Sequence, residues 1–187
     1  MWPLPALHRV LSRCERLERL TLLQLGQNHW EMLESAIPPN LKHLTLGPVH
    51  GPFRASDLWK HPPLESFTSL ESMMLNEDLE DLMTYPSLKV LRRMTESLFH
   101  VAFSLAAEKE CVPLVSNLEK YEIVVCETNV KSAEALVESI RGVHEIPDDP
   151  KLCITPCPRR CWDIVRDEFI STRNWFFGEQ FAAPSVH

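Results

Sequence analysis

Only five glycines stand among 187 residues, against fifteen prolines, and tyrosine occurs twice. So few glycines could hardly build the G-x-x-x-x-G-K loop or the G-x-G-x-x-G turn that cradle phosphates on bare backbone, and neither motif occurs. The G-x-S-x-G nucleophile elbow is missing as well. The eight histidines (His8, His29, His43, His50, His61, His100, His144 and His187) show no H-E-x-x-H or comparable ligand spacing. No local signature pairs Cys111 or Cys126 with any of them as a nucleophile. With the usual marks of catalysis gone, no enzymatic activity and no cofactor are expected.

Positive charge is also in short supply. Nineteen Lys and Arg face 26 Asp and Glu, for a net charge of -7, so the chain has no domain-sized basic field and nucleic acid is not an expected partner. No apolar run approaches the roughly 18 residues of a membrane helix, and MWPLPALHRV lacks the basic stretch and apolar core of a secretion signal. A membrane is therefore not expected as a partner. An intracellular chain, cytoplasmic or nuclear, is expected, with Cys14, Cys111, Cys126, Cys153, Cys157 and Cys161 as reduced thiols.

What the chain does have is a recurring phrase. NLKHLTL (40 to 46) sets Leu41, Leu44 and Leu46 around charged and hydroxyl neighbours, and LERLTL (17 to 22), LESMML (70 to 75), LKVLRR (88 to 93) and LEKYEI (118 to 123) repeat the pattern. The copies begin at Leu17, Leu41, Leu70, Leu88 and Leu118, in steps of 24, 29, 18 and 30 residues. Leucine-rich repeats run about 20 to 29 residues per unit, so two steps fit, one is slightly long and one is short. Two copies deviate: Arg93 stands where an apolar residue belongs, and Tyr121 replaces a leucine.

Successive strand side chains alternate between faces, so Leu44 and Leu46 share one side while His43 and Thr45 take the other. One such unit cannot bury its apolar side alone; stacked units form a short parallel sheet with a continuous interior. The predicted fold is α/β: an irregular leucine-rich-repeat solenoid, with helices and loops behind the sheet and a C-terminal helical cap. A repeat domain over 1–143 is followed by a proline-rich loop, helix and tail over 144–187.

The spacers supply the helices. Leu7, Val10, Leu11, Cys14 and Leu17 mark one face of a first helix. A second is expected over NHWEMLESAI, capped by Asn28 and answered by Glu31, and stopped by Pro38 and Pro39. The segment 47 to 63 reads as an irregular crossover with one helical turn at Ser56 to Trp59. NEDLEDLMTYP offers a turn or two, with Leu79 and Leu82 inward and Pro86 as its stop. Thr95 caps a predicted helix through Leu98, Val101, Ala102, Leu105 and Ala106 to Glu110. Val130, Ala133, Leu136, Val137 and Ile140 line another, stopped at Gly142. Beyond a loop over 144 to 158, CWDIVRDEFI is expected to bury Cys161, Ile164, Val165 and Phe169, and FGEQFAAPSVH to fray.

The segments LPALHRVLSRCERLERLTL, IPPNLKHLTLGPVHG and VSNLEKYEIVVCETNVKSAEALVESIRG resemble the leucine-rich-repeat region of fungal F-box-like proteins, particularly those of basidiomycetes, over roughly residues 4 to 142. The resemblance implies the substrate-recognition part of a ubiquitin ligase component. Two departures stand out. Of the ninth positions, Leu25, Val49, Asp78, Glu96 and Cys126, only Cys126 matches the Asn or Cys of the repeat. Met1 to Leu17 supplies no F-box, so binding to the ligase adaptor does not carry over.

On strand alternation, the solvent side of the sheet carries Arg19, Thr21, His43, Thr45, Ser72, Met74, Val90, Arg92, Lys120 and Glu122. So mixed a surface suits a protein partner better than a small molecule, which prefers a deep apolar pocket. An alternative is a metal- or redox-binding site at CITPCPRRC, where Cys153, Cys157 and Cys161 stand four apart with His144 nearby, although Pro156 and Pro158 bar a helix that would align them. NEDLED (76 to 81) is read as a solvated helix face or an acidic docking patch. Phe53 and Trp59 are read as plugs of the irregular crossover or as exposed anchors.

Overall fold

The computed structural model describes residues 3–23, 30–48, 52–97, 99–102, 104–146 and 149–177, the last six of these as backbone only. Six strands, β1 (Arg19–Leu23), β2 (His43–Gly47), β3 (Ser66–Leu70), β4 (Val90–Thr95), β5 (Lys120–Cys126) and β6 (Leu152–Cys157), form one parallel sheet in sequential order. Each connection moves the chain one place along the sheet.

The register explains the phrase. Leu20, Leu44, Phe67, Leu91, Tyr121 and Leu152 lie abreast across all six strands, separated by 24, 23, 24, 30 and 31 residues. Their side chains are buried on the inner face, with Leu41, Leu64, Leu88 and Leu118 entering from the preceding turns. Parallel strands need crossovers back to the same edge, and these place every helix but the last behind this face.

The third rung differs from the expectation. It starts at Leu64 and reads LESFTSL, so LESMML at 70 to 75 is the strand's last residue and the turn after it. With Leu64 as the third start, the ninth position becomes Ser72, which is buried and donates its hydroxyl to Leu70 O at 2.9 Å. The sheet also runs past residue 143. Residues 152–157, expected within a loop, pair with β5 as a sixth strand. Pro156 is tolerated there because β6 is an edge strand, where a missing backbone donor breaks no second ladder.

Backbone and charge reinforce the stacking. The carbonyls of Glu18, Lys42, Glu65 and Lys89 each accept two N–H bonds from the next rung. The side chains at this position alternate in sign, with Lys42 Nζ 3.1 Å from Glu18 Oε1 and Lys89 Nζ 3.8 Å from Glu119 Oε1. Asn117 ties one turn to its predecessor: Nδ2 donates to Tyr85 O at 2.8 Å, Leu88 O at 3.0 Å and Met83 O at 3.3 Å.

Helix α1 (Leu4–Leu11) buries Leu11 and leaves Val10 exposed, against expectation. The helix expected over 28 to 37 is reduced to a 3₁₀ turn at Glu34–Ala36, and Asn28 lies outside the described residues. The crossover turn occupies Ala55–Asp57. Phe53 is its plug, with ring centroids 4.9 Å from both Trp30 and Phe67, whereas Trp59 is 74% exposed.

Helix α2 (Asn76–Thr84) buries Leu79 and Leu82 as expected. NEDLED forms its start. Asp78 is buried there with Arg54 Nε 3.7 Å from Oδ1, so the acidic run is only partly a solvated face. Thr95 ends β4 instead of capping a helix, and the following spacer holds α3 (Phe99–Ala102) and α4 (Leu105–Cys111).

Helix α5 (Val130–His144) is capped by Asn129, whose Oδ1 accepts from Lys131 N at 2.9 Å and Ser132 N at 3.3 Å. It buries Ala133, Val137 and Ile140 but exposes Val130, and it runs past Gly142 to a stop at Glu145, whose φ is 46°. Among the described residues no helix is long and apolar enough to cross a membrane.

Candidate functional face

Helix α6 (Cys161–Phe177) departs most from expectation. It does not close the end of the stack. Its buried Cys161 and Val165 pack on Leu70, Met94, Val124 and Cys126, which project from β3, β4 and β5 on the outer face. Half-buried Ile164 joins this packing, while Phe169 is 58% exposed instead of buried. The expected tail after residue 177 lies outside the described residues.

The outer face therefore has two parts. Toward the strand starts it is polar and only partly covered. One row aligns Arg19, His43, Ser66, Val90 and Lys120; the next aligns Thr21, Thr45, Thr68, Arg92, Glu122 and Cys153. Of the ten residues expected on this face, Ser72 and Met74 fall elsewhere, both buried in the turn after β3. Ser66 and Thr68 occupy their rung. LESMML imitates the repeat six residues further on, whereas LESFTSL carries the alternation that identifies them.

The polar rows are internally bonded. His43 Nδ1 and Ser66 Oγ share a 2.8 Å hydrogen bond. Burial, with Arg19 nearby, holds His43 below the ordinary imidazole range, so it is neutral at pH 7. Arg92 Nε donates to Glu122 Oε2 at 2.8 Å, and Lys120 Nζ donates to Glu122 Oε1 at 3.0 Å. Burial alone would raise the Glu122 carboxyl; the Lys120 and Arg92 bonds outweigh it and hold the pKa below the usual range. Arg92 Nη1 reaches further, to Glu168 Oε1 on α6 at 2.9 Å.

The second part is the α6 seat. At the helix start, the Glu96 carboxylate accepts Cys161 N–H at 3.1 Å, a negative group on the positive end of the helix dipole. Glu71 Oε1 accepts the Cys161 thiol at 3.5 Å and the Glu96 N–H, and Glu71 Oε2 lies 3.2 Å from His100 Nδ1. Glu71 holds this place with φ at 46°, a left-handed conformation that an L side chain seldom adopts.

Of the three cysteines of CITPCPRRC, Cys157 and Cys161 meet at Cys126 on the outer face, while Cys153 stands apart, four residues earlier on β6. Cys153 sits beside Glu122, Cys157 is the register partner of Cys126, and Cys161 packs with Cys126. All six cysteines are free thiols. Its hydrogen bond with Cys126, burial and the Glu71 carboxylate all push the Cys161 thiol up, which keeps it protonated. Among the described residues no group of three or more His, Cys, Asp or Glu is arranged to hold a metal ion.

Two grooves lie away from this face. One of about 350 Å³ is lined by Met83, Cys111, Leu114 and Asn117, and one of about 540 Å³ by Leu4, His8, Arg9 and Met32. Comparison with known protein families, with curated proteins and with solved structures yields no match to this chain.

Proposed function

We propose that this chain is a non-enzymatic recognition module of the leucine-rich-repeat type, presenting the outer face of its sheet to a protein partner. The observation that carries the reading is the register: Arg19, Thr21, His43, Thr45, Ser66, Thr68, Val90, Arg92, Lys120 and Glu122 lie abreast on one face across five strands. Parallel rows of partly exposed hydroxyl, imidazole and guanidinium groups form a broad bonding surface, which suits a protein ligand. The resemblance to F-box-like proteins points to substrate selection for a ubiquitin ligase, inside the cell.

A photo-cross-linking residue at Thr45 tests this in the source cells, with one at exposed Glu138 on α5 as the control. Capture of a defined protein from Thr45 but not from Glu138, lost when Arg92 and His43 are both replaced by alanine in a chain that still unfolds cooperatively, supports the reading. Equal capture from both positions, or capture that survives the double substitution, rejects it.

A further inference from the structure

Three features of the outer face fit a helix in one direction. Glu96 and Glu71 receive the first amide and the side chain of Cys161, where a helix is positive. Leu70, Met94, Val124 and Cys126 form an apolar floor, covered by Cys161 and Val165. Arg92 stands at the far end and takes the Glu168 carboxylate. Cys161, Val165 and Glu168 are residues i, i+4 and i+7 of one helix face, spanning about 10 Å at 1.5 Å per residue. Half-buried Trp162 and Ile164 pack beside this stripe, and residues 166–171, Glu168 among them, are exposed, so the helix is held by its first turns.

From this arrangement we infer that the seat under α6 is the helix-docking part of the recognition face, and that α6 occupies it as an internal stand-in for an acidic amphipathic helix of the partner. The partner helix presents a small apolar residue at i, an apolar residue at i+4 and a carboxylate at i+7, with its N-terminus toward Glu96. Charge complementarity selects this occupant, because Arg92 is the seat's basic end and the chain's own helix meets it with an acid. The inference rests on the outer face being the recognition surface. Its consequence is regulatory: the partner competes with a tethered helix whose effective concentration is high, so partner binding and α6 release are one equilibrium.

The test uses the full chain and a synthetic peptide of residues 159–177. Val165→Asp, which places a charge on the apolar floor, releases α6. The released chain is expected to bind the peptide at least tenfold more tightly than the native chain. A peptide carrying Glu168→Lys is expected to lose at least tenfold in affinity, with recovery on a chain carrying Val165→Asp and Arg92→Glu. If Val165→Asp fails to fold, the milder Glu168→Ala chain serves, with hydrogen exchange as the readout: saturating peptide should speed exchange over 161–171 and leave β4 and β5 unchanged. Equal binding to native and released chains, indifference to the charge reversal, or no change in exchange overturns the inference. Cross-linking from Thr45 reads the exposed polar rows separately, so capture there with no peptide binding removes the seat and leaves the recognition face standing.

Discussion

Arg93 and Glu108 form a buried ion pair in the interior of the protein, behind the fourth rung. Arg93 occupies the inner column with Leu22, Leu46, Ser69, Ile123 and Ile154, where every other member is apolar or a small hydroxyl. Its guanidinium makes three hydrogen bonds: Nη1 donates to Glu108 Oε1 and, at 2.7 Å, to Ser104 Oγ, and Nη2 donates to His100 O at 2.6 Å. Beside the pair, burial and the Glu108 charge raise the buried Tyr121 phenol well above its ordinary range. Replacing either partner alone, as in Arg93→Met or Glu108→Gln, is expected to cost about 3–5 kcal/mol by stranding the other charge, whereas Arg93→Met with Glu108→Leu should recover much of that loss. Urea unfolding of the three variants gives the cycle.

Gly47 sits on the outer face of β2 tight against Leu70 of β3. A Cβ there would lie 2.5 Å from Leu70 Cβ and 2.9 Å from Leu70 O, and the Leu70 backbone cannot move aside within the ladder. Gly47→Ala is expected to destabilise by about 1–3 kcal/mol. Thermal unfolding checks it.

Asn117 serves three carbonyls of one turn through a single nitrogen. Asn117→Ala leaves acceptors without a donor in a half-buried place, an expected loss of about 1–3 kcal/mol. Asn117→Asp, which keeps the shape but turns the donor into an acceptor, should be at least as damaging in the same unfolding assay.

Glu122 makes stability depend on pH. Its folded pKa lies below the unfolded value, so its contribution is complete above the ordinary carboxylate range and disappears as pH falls through the lowered folded pKa. Glu122→Gln is expected to lower stability by about 1 kcal/mol at neutral pH, since Arg92 and Lys120 are partly solvated. That gap should close on acidification below both values. Melting curves from pH 7 down to strongly acid conditions follow it; a constant gap would contradict the assignment.

How much of this was legible depends on the rung. LERLTL and LKHLTL carry leucine at each inner position, and both sit in the sheet as read, with steps near the ideal repeat. Leu64 to Leu70 is hard to see because Phe67 and Ser69 replace the leucines, while Leu70, Met73 and Leu75 imitate the spacing six residues later. Arg93 and Tyr121 break the leucine pattern of their copies, yet both are buried: Arg93 pairs with Glu108 and Tyr121 lies beside that pair, a partnership that no local pattern encodes. Prolines disguised β6, since a rule against proline in strands weakens at an edge. Cys161 and Val165 mark the buried stripe of α6 in the sequence, but the stripe packs on the outer face of the sheet and not on the end of the stack. An apolar stripe states that a helix packs, and only the apolar ends of β3, β4 and β5 state where.

The affinity of the protein captured through Thr45 is the most direct measure of the recognition surface. Thr45→Trp and Thr68→Trp, both on the outer face, are expected to weaken its binding at least tenfold, and Glu138→Trp on α5 to leave it unchanged. Undiminished binding by the two threonine variants, or an equal loss from the α5 variant, would contradict a recognition surface on this side of the sheet.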